Sequence, residues 1–349
     1  MPVVSSAATV TPFTYSGWIP YWKLPAGITD AFNHISTFTE ISPFGYSVHT
    51  DGTLADTAGI NTSATSSWNA LFNLSRGQGV EIVPTVMWSD QATIYRILSN
   101  TALRTAHVAQ IVNTVNANNF AGIDVDYENK SAATEKYYSA FLKQLSSALH
   151  KNKKILVCST ESRTPLSSRF AVIPKTVAYA NDYTAINTYC DEVRIMAYDQ
   201  DNVDIKLNAS KGGATLYQPI ADVDWVKKVL TLTLQSINRK KVVLAVPTYG
   251  REYQIATSTN GTITYTPITS VTYTTAIALA AQNNVTPVRN SAGELSYTFT
   301  SGTSTMFADF TDAQSVASEI AVAKAYGLKG ASVFKIDGDE DPSLFTVLK

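Results

Sequence analysis

The segment GIDVDYE, Gly122 to Glu128, places Asp124, Asp126 and Glu128 at every second position among apolar residues. In a β-strand, residues i, i+2 and i+4 share one face. Gly122, Asp124, Asp126 and Glu128 therefore point one way, and Ile123, Val125 and Tyr127 the other. The apolar row fits a strand packed under helices. The acidic row needs an interior where protons are shared, because several ionised carboxylates cannot be buried together. At least one carboxyl is then held protonated near neutral pH, the state a general acid requires. One acid at a strand end commonly caps a helix or meets an arginine. Three at strict period two are hard to explain as structure and read as a working site.

Working outward, short β-type runs alternate with helical ones from Ser16 onward. The candidate strands are 17–22, 34–41, 80–88, 122–128, 154–160, 192–199, 241–250 and 330–337. Helical spacing is clearest over Thr134–His150 and Asp312–Tyr326, the second stopped by Gly327. Eight strands with helical crossovers predict an α/β fold, the closed (β/α)8 TIM barrel, spanning 16–349. Glu128, last of the acids, then lies at the C-terminal mouth where such barrels keep their chemistry. The alternative, an open doubly wound sheet, usually shows a Gly-rich nucleotide loop after its first strand, and GWIPYWKLPAG (17–27) is not one. Residues 1–15 read as an N-terminal tether. Residues 252–310, rich in Thr, Tyr, Val and Ser, read as a small α+β insertion between strand seven and its helix, since so long a structureless loop is improbable.

The composition narrows the function classes. In 349 residues, 45% are hydrophobic and 16% charged, with a formal net charge of −1, so a large core is available and disorder is not expected. No basic run points to nucleic acid, and no apolar run reaches membrane-spanning length, so neither partner is expected. The N-terminus lacks the pattern of a signal peptide; abundant Ser, Thr and Tyr predict an extracellular or cell-surface protein from which a leader has been trimmed. Six Asn-x-Ser/Thr sequons, at Asn61, Asn73, Asn129, Asn208, Asn260 and Asn284, decide little in so Ser/Thr-rich a chain. Cys158 and Cys190 form no CxxC pattern and read as buried free thiols. His34, His49, His107 and His150 have no metal-ligand spacing, so neither a metal nor a Ser-His-Asp triad is expected. The acidic run Asp337–Asp341 departs from a calcium loop at Pro342 and Leu348, and reads as a helix-capping turn.

GIDVDYE resembles the strand-four signature DxxDxDxE of glycoside hydrolase family 18, the chitinase-like hydrolases. VRIMAYD (193–199) is similar to the family's MxYD strand six, VPTYGRE (246–252) to its PxYGR strand seven, and GASVFKIDGDED (330–341) to its strand eight. The insertion falls where many members carry a small α+β domain, and order and spacing agree over nearly the whole chain. Two positions depart. Ala121 replaces the first Asp of the signature, outside the inward ladder, and Phe334 replaces the Trp that floors the sugar site. DYENK (126–130) and the helix YYSAFLKQLSSALH (137–150) are similar to the spore-cortex and cell-wall N-acetylglucosaminidase branch.

The resemblance implies a retaining, substrate-assisted glycosidase without cofactor, acting as a monomer on N-acetylglucosamine oligo- or polysaccharides, either chitin-type or peptidoglycan. Glu128 would protonate the glycosidic oxygen and later serve as base. Asp126 would hold the substrate acetamido N–H, Asp124 would share a proton with Asp126, and Tyr198 would bond the acetamido oxygen. Asp199 and Met196 would help hold the sugar. Tyr21, Trp22, Trp88, Tyr249 and Phe334 end apparent strands and read equally as sugar-stacking or core aromatics. Arg251 reads equally as a sugar contact or a structural salt bridge. The rival from another class is a lectin of the same family; the presence of Glu128, Asp126, Asp124 and Tyr198 argues against it.

Overall fold

The computed structural model describes residues 13–61, 67–212 and 215–349. Eight parallel strands close a barrel: β1 (Thr14–Pro20), β2 (Glu40–Val48), β3 (Thr85–Trp88), β4 (Gly122–Tyr127), β5 (Ile155–Glu161), β6 (Glu192–Met196), β7 (Val242–Pro247) and β8 (Gly330–Phe334). Each pairs with its neighbours in chain order, and β8 pairs with β1 to complete the circle. Helices such as Thr101–Ala117, Glu135–His150, Val223–Thr233 and Ala313–Ala325 lie outside. On β4 the alternation holds as expected. Ile123, Val125 and Tyr127 join the apolar layer under the helices, where Tyr127 meets Phe141 and Tyr138 of the helix Glu135–His150.

Two expectations about the elements need correction. The second strand is not at 34–41: His34 closes the helix Ala26–Asn33, Ile35–Thr37 form a 3-10 turn, and β2 runs on to Val48 through Pro43 and Gly45. The apolar pair Ile35 and Phe38 packs against the barrel wall without strand pairing, which is why its hydrophobicity looked strand-like. The first strand opens at Thr14, three residues before its expected start at 17, and residues 1–12 of the expected tether lie outside the described residues.

The cysteines are not free thiols. Cys158 on β5 and Cys190, one residue past the helix Tyr183–Tyr189, form a disulfide with a Cα–Cα distance of 6.1 Å. Both are buried, as expected. They meet because β5 and β6 are adjacent: Cys158 is in register with Val193, just downstream of Cys190.

Between β7 and the helix Ala313–Ala325 stands a second, five-stranded antiparallel sheet. Its strands are Tyr249–Thr257, Ile263–Thr272, Val288–Arg289, Leu295–Ser301 and Ser304–Phe310, with the helix Tyr273–Gln282 packed on it through Val271, Ala276, Ala280, Tyr297 and Phe310. The helix opens with a capping box formed by Thr272 and Thr275. No helix among the described residues is long and apolar enough to cross a membrane.

Inside the barrel, below the mouth, the buried Arg194 on β6 is ringed by acids. It donates to Glu40 on β2, to Glu192 at 3.0 Å and to Ser42 at 2.8 Å, and lies 3.5 Å from Asp124. A guanidinium with five donors can answer several carboxylates at once, which is what lets acids sit in the barrel's interior at all.

Candidate active site

The acids of β4 climb from this floor to the mouth. Asp124 is fully buried and surrounded by donors. Its Oδ2 accepts from Trp18 Nε1 at 3.1 Å and Thr85 Oγ1 at 2.8 Å, and its Oδ1 from Ser159 Oγ at 2.9 Å. Burial pushes its carboxyl up, and the Thr85, Trp18 and Ser159 hydrogen bonds pull it back part of the way. These donors come from β1, β3 and β5, so Asp124 is held from three sides.

Asp126, one step higher, is also buried, and its Oδ1 has no hydrogen-bond donor. Burial, then the charges of Glu128 and Asp124, drive its carboxyl well above the usual range. Glu128 is raised too, by burial first and by the charge of Glu161 next, while its contact with the Asp126 carboxyl favours ionisation. Two adjoining carboxyls that interact this strongly lose their protons as a pair, not independently. Asp124, whose charge also raises the Asp126 carboxyl, has its own complement of donors.

Around the pair lies a cleft of about 320 Å³ lined by aromatic rings. Tyr198 stacks on Phe334 with ring centroids 5.6 Å apart, and Tyr249 stands edge-on to both. Met196 also lines the cleft. Tyr21 and Trp22, 42% and 46% exposed, form an open rim above Phe44; so much bare aromatic surface at a mouth is what a sugar face can cover. The Tyr198 hydroxyl is held neutral, its pKa driven up by burial and by the charges of Asp126 and Glu128, so it remains a donor.

Asp199 and Arg251 form a bracket at one side. Asp199, with a positive φ of 56°, accepts from Tyr249 Oη at 2.5 Å and pairs with Arg251 Nη2 at 2.6 Å. Arg251 also reaches Asp201 at 3.1 Å. Of the two readings open for Arg251, the structure shows the salt bridge, and it ties the strand Tyr249–Thr257 to the loop after β6.

The structure thus brings Asp124, Asp126, Glu128, Met196, Tyr198, Asp199, Tyr249, Phe334 and Trp22 to one end of the barrel. It does not bring Trp88. On β3, Thr85 and Met87 are in register with Asp124 and Asp126 and face inward, so Trp88 faces outward with Tyr127. There it is 3% exposed and packs on His107 and Tyr127. The same alternation could have revealed this from sequence, as well as the inward Thr85 and Met87. Trp18, Phe44 and Tyr46, which also line the cleft, come from β1 and β2 and carried no motif. Among the described residues no group of three or more His, Cys, Asp or Glu could hold a metal ion.

Two adjoining carboxyls and a cleft lined by aromatic rings thus lie together at one mouth of the barrel. The family model for glycosyl hydrolases family 18 matches residues 75–339, and the chain belongs to that family. The uncharacterised glycosylase YvbX of Bacillus subtilis is 23% identical over 168 residues, 48% of this chain and 44% of that protein. The chain spans about half the length of the curated relatives it matches. Among solved structures, a chitinase from Chromobacterium violaceum superposes with a TM-score of 0.76 at 19% identity, covering 97% of this chain and 98% of that one. The spore cortex-lytic enzyme SleL of Bacillus megaterium gives 0.75 at 19% identity, covering 98% and 74%. These likenesses establish the fold.

Proposed function

We propose that the protein hydrolyses β-linked N-acetylglucosamine glycans with retention of configuration, the substrate's own acetamido group acting as nucleophile. The observation that carries this reading is the side-by-side placement of Asp126 near the end of β4 and Glu128 just beyond it, both carboxyls raised, in one cleft with the neutral Tyr198 hydroxyl. Two carboxylates on opposite faces of a sugar would serve a direct-displacement glycosidase; two on the same side suit an acid and a helper for an internal nucleophile. Asp199, across the cleft, is already engaged by Arg251 and Tyr249.

The steps follow from placement. Glu128 delivers its proton to the glycosidic oxygen as that bond breaks. The acetamido carbonyl oxygen bonds to the anomeric carbon, giving an oxazolinium ring. Asp126 accepts the acetamido N–H and offsets the ring's positive charge, and Tyr198 donates to the acetamido oxygen. Glu128, now a carboxylate, takes a proton from the entering water, which opens the ring and restores the starting acid. The disulfide supports a working place outside the reducing cytosol.

The test is hydrolysis of a defined N-acetylglucosamine oligomer series and of purified peptidoglycan, with products sized by mass and Glu128→Gln as control. Cleavage by the wild type and none by Glu128→Gln supports the reading, and the preferred series names the substrate. Binding without cleavage by the wild type rejects it in favour of a lectin.

A further inference from the structure

One buried charge near the acid pair has no part in the steps above. Asn129, with a positive φ of 53°, reverses the chain after Glu128 and sends Lys130 back inward. The Lys130 side chain is wholly shielded from solvent, and its Nζ has no hydrogen-bond acceptor. It lies 3.7 Å from Glu161 Oε2, beyond hydrogen-bond reach, and 4.7 Å above the Tyr138 ring. Glu161, at the end of β5, is fixed from its other side. Asn181 Nδ2 donates to Glu161 Oε2 at 2.5 Å, and Arg163 donates to the Asn181 carbonyl. The Arg163 guanidinium is itself clamped between the Tyr179 and Tyr183 rings, 3.8 Å from each centroid. A whole excursion of the chain after β5 thus holds one carboxylate beside one unsatisfied ammonium.

We propose that Lys130 and Glu161 are positioning residues that set the working pH range of the glycosidase by opposed electrostatic action on the Asp126–Glu128 pair. This rests on the reading of Glu128 as the acid. As a stabilising salt bridge the arrangement is poor, because a buried ion pair holds a fold well only when its lone pairs and protons are satisfied. As an electrostatic device it is well placed: the β4–β5 register that sets Asp124 beside Val157 and Val125 beside Cys158, carried on to the mouth, brings Glu161 alongside Glu128, and Lys130 follows Glu128 by two residues. Glu128 is faced by Asp126 and Lys130 from its own segment, by Glu161 from β5, and by Tyr198 and Asp199 from the end of β6. Lys130 is faced by Asp126, Glu128 and Glu161, with Tyr138 from the helix outside.

Most of these groups have their charge answered elsewhere. Asp199 is paired with Arg251, Asp124 has its own donors and Arg194, and the tyrosines are neutral. Lys130 and Glu161 remain to bias the pair. Glu161 pushes Glu128 toward the protonated form and Lys130 pulls both Asp126 and Glu128 toward the ionised form. Both biases are useful in turn, because Glu128 must be an acid in the first step and a base in the second.

The test is the pH profile of kcat/KM in wild type, Glu161→Gln, Lys130→Met and the double variant, with melting temperatures alongside. The alkaline limb reports loss of the pair's proton. Glu161→Gln should move that limb down by about one pH unit and Lys130→Met should move it up by about one, with the double variant near wild type. Limbs that stay fixed, or that move the same way in both single variants, overturn the proposal. Should Lys130→Met fail to fold, Glu161→Gln decides alone, since that side chain is half-exposed and a glutamine keeps an acceptor for Asn181. Carbon-13 carboxyl titration of Glu128 in the full chain reads the same shift without turnover. A wild type that cleaves no N-acetylglucosamine glycan defeats the functional reading. A Glu128 titration unmoved by Glu161→Gln defeats this one.

Discussion

Breaking the bond between Cys158 and Cys190 should lower stability by an amount set by the loop it closes. The two residues are 32 apart in sequence, and loop-closure entropy for that length is worth about 3.7 kcal/mol at 25 °C. For a chain of 349 residues, the usual unfolding entropy per residue converts this into a fall in melting temperature of about 5 °C. Both sulfurs are buried, so each alanine substitution also removes some packing, about 1 kcal/mol. The assay is calorimetry on Cys158→Ala, Cys190→Ala and the double variant. Either single substitution already breaks the bond, so each should lose nearly as much as the double. Two free thiols would instead give small losses that add. That additive pattern, or a shift below about 2 °C in the double variant, would refute the pairing.

Other consequences can be measured independently. Trp22→Ala should raise KM with little change in melting temperature, whereas Trp88→Ala should destabilise by about 3–5 kcal/mol, because the first ring lies open at the mouth and the second is in the core; steady-state kinetics with thermal melts separate them. Ser159→Ala takes the Oδ1 donor from the buried Asp124 and should cost about 1.5–3 kcal/mol, with kcat reduced, read by urea unfolding and turnover. His107 is buried, donates from Nδ1 to the Gly52 carbonyl and accepts from the Tyr127 hydroxyl, and burial pushes its pKa down to about 4. Below its unfolded pKa the unfolded chain binds a proton that the folded chain refuses. Stability is therefore intact above about pH 6.5 and lost as pH falls toward 4, by roughly 3 kcal/mol in all. A His107→Gln variant should show a flatter melting-temperature profile across that window.

The sequence made the barrel and the core of its site legible because both are written in local periodicity. Asp124 and Asp126 share a face by strand geometry, Glu128 follows them because its N–H still pairs with the Trp88 carbonyl just past the strand end, and the apolar residues between find the helices for the same reason. Trp88, which its position at a strand end leaves open between sugar-stacking and core, falls to the core once the alternation is followed through Thr85 and Met87. What stayed hidden depends on contacts across the barrel. Trp18 reaches Asp124 over a separation of 106 residues, and Arg194 reaches Glu40 over 154. The disulfide needed only the adjacency of β5 and β6, which an eight-stranded parallel order already implies. Lys130 lay within the quoted signature region, yet only the turn at Asn129 shows that it points inward.

The central claim is that the bond is broken with retention of configuration, and proton NMR of the first products tests it most directly. Wild-type protein is mixed with a chitin-type oligomer and the new reducing ends are followed before they equilibrate. Attack by the substrate's acetamido oxygen followed by water on the opposite face releases the β-anomer first, and none from Glu128→Gln. Initial release of the α-anomer would contradict the account, since it would mean a single direct attack by water.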